Sequence, residues 1–458
     1  MKRLVKNVKD ALQTTGATYK IDVQWTRLFL RTAAAPEDLE FLSRIPGISS
    51  YSSVVARSSA DLDEVIRTGV EHFGEAVRGR SFAVRPRRSG RHSYSSGDIG
   101  RKLGSALNID SRVDLTNPEV EVEVEVRDED AYFYSGKSQG LGGLPLAVEG
   151  RAVCLISGGF DSAVASWMML KRGVRQDYLF CNLAGEAYEK SVAQVSKILA
   201  DNWSYGTQPN LHVVDFSSVL DELRARTEPK FWQLVLKRLM YRTGDMLAQI
   251  LKAQALITGE AIGQVSSQTL ANLAAIDRAS RVPVFRPLIG FDKLDIVEIS
   301  RRIRTYPISS QVKEYCAIAP GNPATNATTR ETEREEAKLD PDILMAPFEK
   351  RRILDLRAID DIDLAAGYLF TEDVPSNAIV IDIRSEEEWD AWHYPDSVNH
   401  PAWQLTTNPR SLGRDRTYVL YCDRGTQAAQ VAEAMQRAGV EAYAFRGGTE
   451  AIRRRSRG

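Results

Sequence analysis

Ser157-Gly158-Gly159-Phe160-Asp161-Ser162 stands between an apolar run, 152–156, and a stretch of helical character, 162–172. Adjacent glycines let a backbone come close to a ligand, and the amides that open a following helix offer a positive field to an anion. A carboxylate in such a loop repels bare phosphate. Asp161 therefore either shapes the loop as a cap or brings Mg²⁺ between itself and the phosphates. No Gly-Lys-Ser/Thr follows, so this is not a Walker A loop. An ordinary strand-to-helix turn has the same outline, and the loop alone does not separate the two.

A second candidate is Cys422-Asp423-Arg424-Gly425-Thr426-Gln427-Ala428, which follows the apolar run 418–421 and opens a helix. A sulfur at a helix N-terminus, ringed by backbone amides and beside Arg424, is stabilised as a thiolate or persulfide anion. A lone cysteine at a strand end is otherwise a buried apolar filler. Cys154 and Cys181 lie inside apolar runs and read as inert core. Cys316, in Glu314-Tyr315-Cys316, precedes a Pro/Gly-rich stretch that leaves its thiol accessible, and from the residues alone it reads as an ordinary loop cysteine.

The third feature is basic. Arg78, Arg80, Arg85, Arg87, Arg88, Arg91, Arg101 and Lys102 crowd one stretch, opposed within it by Asp98. On a neutral chain such a cluster is either a solvated face or an electrostatic footprint for a polyanion, with Phe82, His92 and Tyr94 interleaved to stack on bases.

These features need a scaffold. The chain has 458 residues, which suggests about three domains. Lys+Arg of 60 against Asp+Glu of 61 leaves a net charge of −1, so global charge identifies no partner. Four cysteines without a CxxC exclude a disulfide framework or a zinc ribbon. No apolar run reaches the roughly 18 residues of a membrane span, and the opening residues are not a secretory signal, so a cytoplasmic location with no membrane partner is expected.

Leu4, Val5, Val8 and Leu12 mark an amphipathic helix, and Ile21, Val23 and Trp25 a short strand. The alternation Val120-Glu121-Val122-Glu123-Val124-Glu125-Val126 predicts a half-buried strand with acids on its wet face. From residue 151 the pattern becomes β-α-β, with strands over 152–156, 176–182, 212–216 and 255–260 and helices over 162–172, 186–202 and 231–252. That rhythm implies a parallel sheet covered on both faces. Residues 320–345, rich in Pro, Asn, Thr and Glu, read as linker. A second β-α-β set follows, with strands over 378–383, 418–422 and 441–445 and a helix over 427–439. There is no internal repeat.

SGGxDS after an apolar strand resembles the signature of the PP-loop ATP pyrophosphatases, which adenylate a carbonyl and release pyrophosphate. Leu155-Ile156 with the loop, Leu236-Lys237-Arg238, the string Thr258-Gly259-Glu260-Ala261-Ile262-Gly263-Gln264-Val265-Ser266-Ser267-Gln268-Thr269-Leu270 and Glu314-Tyr315-Cys316 resemble the tRNA 4-thiouridine synthase (tRNA sulfurtransferase) family. The likeness covers nearly the whole chain. Residues 81–145, notably Arg112-Val113-Asp114-Leu115-Thr116-Asn117-Pro118, resemble its THUMP domain. Residues 376–458 resemble the rhodanese domain of some members, through the Cys422 loop and the frame Asp382-Ile383-Arg384, Glu388, His393, Pro395, Asn399 and Pro401, in which His393 is structural.

The resemblance implies an α/β multidomain protein. Its parts would be a ferredoxin-like N-terminal segment (1–55), a THUMP domain (56–146), a doubly wound parallel-sheet PP-loop domain (147–319), a linker (320–375) and a small α/β rhodanese domain (376–458). Family members usually begin with a strand ahead of the helix that here starts near Lys2, so either the start is trimmed or the N-terminal sheet is incomplete.

It also implies an activity: ATP adenylates O4 of a tRNA uridine, and sulfur from a Cys422 persulfide gives 4-thiouridine at position 8. ATP would meet Ser157, Gly158, Gly159, Asp161 and Ser162, the backbone at Leu155 and Ile156, and Lys237, Gly259 and Gln268. Asp161 and Lys293 would serve activation, and Arg85, Arg87, Arg88, Arg91, Arg101 and Lys102 the RNA. A cysteine desulfurase would load Cys422. Cys316 would pair with it in a redox disulfide that a reductant reopens, which requires the rhodanese domain to swing over on the linker. A small sulfur-carrier protein for thiamine thiazole synthesis would be a second acceptor.

From the residues alone, Lys237 could be a solvated helix lysine, Gly259 a strand-end turn and Gln268 a helix-surface amide. Lys293 could pair with Asp292 or Asp295. Two other functions also stay open: a different PP-loop tRNA thiolase, or a sulfur relay for the thiazole pathway with an idle PP-loop.

Overall fold

The computed structural model describes residues 1–24, 27–183, 185–310, 322–359, 369–375, 377–423 and 425–455. Contacts divide it into two units, Ala11–Gly143, and Met1–Asp10 with Leu144–Gly458. Helix α1 (Lys2–Gln13) crosses that division. The expected early strand is β1 (Tyr19–Gln24), which pairs antiparallel with β2 (Arg27–Thr32) in a ribbon that takes no third strand among the described residues.

The rest of the first unit is β3 (Ser50–Ser59), α2 (Leu62–Val77), β4 (Ser81–Ser89), α3 (Ser96–Leu107), β5 (Arg112–Val113), β6 (Val120–Arg127) and β7 (Asp130–Gln139). They form a five-stranded sheet in the order β3-β7-β6-β4-β5. Phe82, Val122, Val124 and Phe133 meet Val65, Phe73, Ile99 and Leu103 of the two helices in its core. Helix α3 starts on a capping box between Ser95 and Asp98, which satisfies two of its orphan amides. Because β3 pairs with β7 along its length, the boundary expected at 55/56 cuts a strand and is corrected to lie before Ser50. The acids of β6 are not all wet either. Glu125 is buried, and it is held by Arg127 Nε at 2.6 Å, Tyr134 Oη at 3.3 Å and Arg27 Nε at 3.5 Å. The ribbon residue Arg27 supplies a charge that the alternation does not reveal.

The second unit holds two sheets, the larger parallel except at one edge strand and the smaller parallel throughout. The first is built from β8 (Arg151–Leu155), α4 (Phe160–Lys171), β9 (Arg175–Asn182), α5 (Glu186–Trp203), β10 (Asn210–Asp215), α6 (Ser217–Arg226), α7 (Trp232–Leu251), β11 (Ala255–Ile257), α8 (Leu270–Asp277), β12 (Val284–Phe285), α9 (Lys293–Arg302) and α10 (Tyr306–Ser309). Elements expected from periodicity agree to within about two residues, apart from β11, which stops at Ile257. The sheet order is β12-β11-β8-β9-β10, continued at its edge by β13 (Arg352–Asp355). Helices α4, α5, α9 and α10 contact one another, as separately do α6, α7 and α8, so both faces are covered. The chain leaves β8 towards β9 and returns to β11 on the other side of β8. That reversal opens a crevice at the carboxyl ends of β8 and β11, where open α/β sheets bind ligands.

Residues 322–359 are not linker. They fold as α11 (Thr329–Glu336), α12 (Met345–Glu349) and β13 (Arg352–Asp355), the last pairing antiparallel with β10 at the sheet edge. Ala327, Leu339, Leu344 and Phe348 join the core that contains Val153 and Leu256. Polar composition hid them because each element is short and, Phe348 apart, the buried apolar side chains lie in the turns around them.

The smaller sheet contains β14 (Phe370–Thr371), β15 (Ile379–Asp382), α13 (Glu386–Ala391), β16 (Val398–Asn399), α14 (Ala402–Thr407), β17 (Tyr418–Tyr421), α15 (Thr426–Arg437), β18 (Ala442–Phe445) and α16 (Gly448–Arg455). All its strands are parallel, in the order β14-β18-β17-β15-β16. Since β14 belongs to it, this domain starts before the expected residue 376.

Candidate active site

The Ser157–Gly159 turn follows β8 and delivers the chain into α4. Ser162 closes it: its Oγ accepts from the Ser157 amide at 2.9 Å, donates to the Ser157 carbonyl at 3.1 Å and lies 3.0 Å from Ser157 Oγ. Gly159 is the N-cap of α4 and no side chain caps that helix, so its first amides face the crevice end of the sheet.

Asp161 is not the cap. It lies one residue inside the helix, is 7% exposed, and accepts from Lys293 Nζ at 2.8 and 2.9 Å and from Gln264 Nε2 at 2.9 Å. Lys293 thus bypasses Asp292 and Asp295 for a carboxylate 132 positions away. Its ammonium also sits 5.6 Å from the Phe160 ring centroid. Gln264, which the sequence reading quoted but gave no role, is the third member of this group.

The segment after β11 meets the loop from the other side of the crevice. A Cβ on Gly259 would lie 2.5 Å from the carbonyl carbon of Asp161 and the amide nitrogen of Ser162, so this position needs glycine for close approach rather than for a turn. Gln268 is buried, not a helix-surface amide; its Oε1 accepts from the Ala261 amide at 3.4 Å and its carbonyl from Gly263 at 3.0 Å. Lys237 is not a solvated helix lysine. Its side chain is 14% exposed and donates to Glu260 at 2.7 Å. Ile156 is buried and Leu155 half-buried beneath the loop. Of the residues expected around the nucleotide, the structure brings the loop, Gly259, Asp161 and Lys293 together and ties Lys237 and Gln268 to the strand end next to Gly259.

Cys422 ends β17 in the smaller domain. It is buried, and its carbonyl accepts from the Thr449 amide at 2.9 Å. A Cβ on Gly448 would come within 2.3 Å of that carbonyl, so α16 backs tightly onto the cysteine turn. Gly425, with φ +88°, supplies the left-handed residue ahead of α15. Arg384 grips Asp382 with Nη2 at 2.6 Å and reaches Asp423 at 3.9 Å. His393 stacks on Trp389 at 4.0 Å and bonds its carbonyl, in keeping with a structural role. Cys154 is fully buried, its thiol pushed up to about 12 by burial, and Cys181 is buried in the same sheet. Cys316 and Arg424 lie outside the described residues.

The basic stretch does not form one cluster. Helix α3 covers the Pro86 side of β4, with Gly100 against the Pro86 ring, whereas Arg85 and Arg87 alternate to the other face. There Arg85 pairs with Glu121 at 3.1 Å. Arg101 and Lys102 are exposed on α3, Arg101 pairing with Asp98 at 2.5 Å, while Arg88 bonds the Gly90 carbonyl at 3.0 Å and Arg91 is exposed nearby. Phe82 is fully buried and cannot stack on a base. Tyr94 is half-buried with its hydroxyl on the Ala60 carbonyl, and His92 Nε2 bonds the Asp128 carbonyl at 2.6 Å. Among the described residues no His, Cys, Asp and Glu cluster could hold a metal, and no helix is long and apolar enough to cross a membrane.

Residues 147–340 match the family described as Thiamine biosynthesis protein (ThiI), 370–455 the rhodanese-like domain and 59–135 the THUMP domain. The tRNA sulfurtransferase of Desulfurococcus amylolyticus is 38% identical over 451 residues, covering 97% of this chain and 92% of that protein. The chain belongs to the tRNA sulfurtransferase family. The tRNA sulfurtransferase of Marinobacter nauticus is 35% identical, covering 93% of this chain and 91% of that protein. A crystal structure of a 4-thiouridine synthetase–RNA complex with bound ATP superposes with a TM-score of 0.68 at 32% identity, covering 77% of this chain and 93% of that one. As a tRNA sulfurtransferase with THUMP, PP-loop and rhodanese parts, the chain is an enzyme of ATP-dependent tRNA thiolation.

Proposed function

We propose that the chain converts a tRNA uridine, at position 8, to 4-thiouridine. The observation that carries this reading is the Ser157–Ser162 turn at the β8/β11 crevice, with an uncapped helix N-terminus and the Lys293–Asp161 pair beside it. The helix amides receive the triphosphate of ATP. O4 of the uridine attacks the α-phosphorus, pyrophosphate leaves, and a poor leaving oxygen becomes a good one. Lys293 and Lys237 offset the charge that develops as pyrophosphate departs. Mg²⁺ would enter with the nucleotide, held largely by phosphates and water, with Asp161 as the carboxylate at hand and charge neutralisation as its contribution.

In the rhodanese domain a cysteine desulfurase loads Cys422 as a persulfide. On the direct route its outer sulfur attacks C4, AMP leaves, and Cys316 then attacks Cys422 Sγ to free the 4-thiouridine; on the sulfide route Cys316 attacks Cys422 Sγ first and the expelled sulfide displaces AMP. Both give a Cys316–Cys422 disulfide that a reductant reopens. The persulfide also serves a small sulfur-carrier protein in thiamine thiazole synthesis. The THUMP domain holds the acceptor end of the tRNA through Arg85, Arg87, Arg88, Arg91, Arg101 and Lys102, and the reaction takes place in the cytoplasm.

The test is to mix protein, ATP, cysteine, a desulfurase and unmodified tRNA, and to follow near-ultraviolet absorbance of thiolated tRNA together with AMP. Thiolation with stoichiometric AMP is expected. Thiolation without ATP cleavage would overturn the reading.

A further inference from the structure

Glu260 follows Gly259 at the carboxyl end of β11 and is 6% exposed. Both of its oxygens are engaged. Oε1 accepts from Lys237 Nζ at 2.7 Å, and Oε2 from Tyr241 Oη at 2.5 Å, Arg286 Nε at 2.8 Å and Thr258 Oγ1 at 3.2 Å. Lys237 and Tyr241 stand one turn apart on α7, so the carboxylate pins a helix face to a strand end. Arg286 is braced in turn by Asp277 Oδ2 at 3.3 Å and by the Tyr241 hydroxyl at 3.0 Å. Burial alone would raise the Glu260 carboxyl, but Lys237 and Arg286, with hydrogen bonds from Lys237 and Tyr241, hold it down at about 2. It is therefore an anion at any working pH.

A lysine on a four-carbon stem loses rotamer entropy when a ligand fixes it, and holding its ammonium on a rigid counter-ion removes that cost before a ligand arrives. The preceding residue, Gly259, touches the backbone of Asp161 and Ser162, so the anchor of this ammonium is one peptide from the phosphate loop.

We propose that Glu260 is a positioning residue of the nucleotide site: it holds the Lys237 ammonium for the triphosphate, and Tyr241 and Arg286 keep its carboxylate in place. The proposal rests on the assignment of Lys237 to the nucleotide. Glu260 touches no substrate itself and acts through Lys237.

A double-mutant cycle on the full-length protein tests it, with ATP affinity as the readout. Lys237→Ala and Glu260→Gln should each weaken ATP binding about tenfold, within the range for groups of one ion-pair network. The double variant should be no weaker than Lys237→Ala. Persulfide loading of Cys422 and tRNA binding should stay at wild-type levels. Unchanged affinity in Lys237→Ala would remove the assignment of Lys237 itself. Weakened binding in Lys237→Ala with wild-type affinity in Glu260→Gln would overturn the positioning role alone, as would a Glu260→Gln effect that persists undiminished without Lys237. If Glu260→Gln does not fold, Tyr241→Phe takes its place. It removes one donor to Oε2 and should cost about threefold, again only when Lys237 is present.

Discussion

The two parallel sheets of the second unit end one strand each in a short turn that opens a helix, 156–160 after β8 and 422–426 after β17. Both turns are pressed by a neighbouring backbone that tolerates only glycine, Gly259 in the first and Gly448 in the second. They differ in what closes them and in which side chain they display. The first is tied by hydroxyls of Ser157 and Ser162 and carries a carboxylate already matched by Lys293 and Gln264. The second is tied by its own carbonyl to α16 and carries a thiol. One backbone device thus carries two different side chains, a paired carboxylate in the larger sheet and a thiol in the smaller.

Separating the two turns is the largest expected effect. Asp161→Ala should lower tRNA thiolation by about a thousandfold, the scale for losing a preorganised electrostatic group, and leave persulfide formation on Cys422 intact. Cys422→Ala should abolish thiolation while tRNA adenylation, read as pyrophosphate release, continues. Loss of both partial reactions in either variant would mean that the turns are not independent.

The glycines come next. Gly259→Ala and Gly448→Ala each force a Cβ onto backbone atoms, and overpacking of this kind costs about 1–3 kcal/mol. Gly259→Ala should depress ATP binding with normal persulfide loading, and Gly448→Ala the reverse, as read by nucleotide titration and by alkylation of Cys422.

Acid should distinguish the sheets as well. His212 on β10 is buried with neither ring nitrogen bonded, and burial lowers it from 6.5 to about 4. A depressed folded value means the stabilisation is whole above about pH 6.5 and is lost as pH falls towards 4, worth about 3 kcal/mol at most. His393 and His400 of the smaller domain are only half-buried. Melting followed against pH should therefore show the larger sheet weakening first, and His212→Gln should flatten that dependence.

The smallest effects belong to the arginines of the first unit. Arg101→Ala and Arg87→Ala lie on opposite sides of β4. Each should weaken tRNA binding a few-fold and reduce the salt slope by about one if its side meets phosphate. An effect confined to one side would show which face of the sheet the RNA uses.

Much of this was legible beforehand. Short apolar runs spaced by helix lengths revealed both parallel sheets, because their buried strands are continuous in sequence. The two turns were visible for the same reason. Pairings made through space were not. Nothing in the local pattern joins Lys293 to Asp161, or Lys237 to Glu260, since each pair depends on β11 returning beside β8. Residues 322–359 were misread because short elements at a sheet edge carry few apolar side chains. Arg85 and Arg101 looked like one patch because proximity along a chain does not reveal on which face of a strand a side chain emerges.

Strand β13 has a consequence for delivery. With Leu356 buried and its amide on the Pro209 carbonyl at 3.3 Å, the chain stays moored to the larger sheet almost to residue 359, and Leu369 is already inside the smaller core. Positions 360–368 are all that separates them, about 35 Å at full stretch. Were Cys422 the sulfur donor as proposed, nine intervening residues would hold it at an effective concentration on the order of millimolar. A severed rhodanese domain added in trans would have to be supplied at that level to match the tethered one.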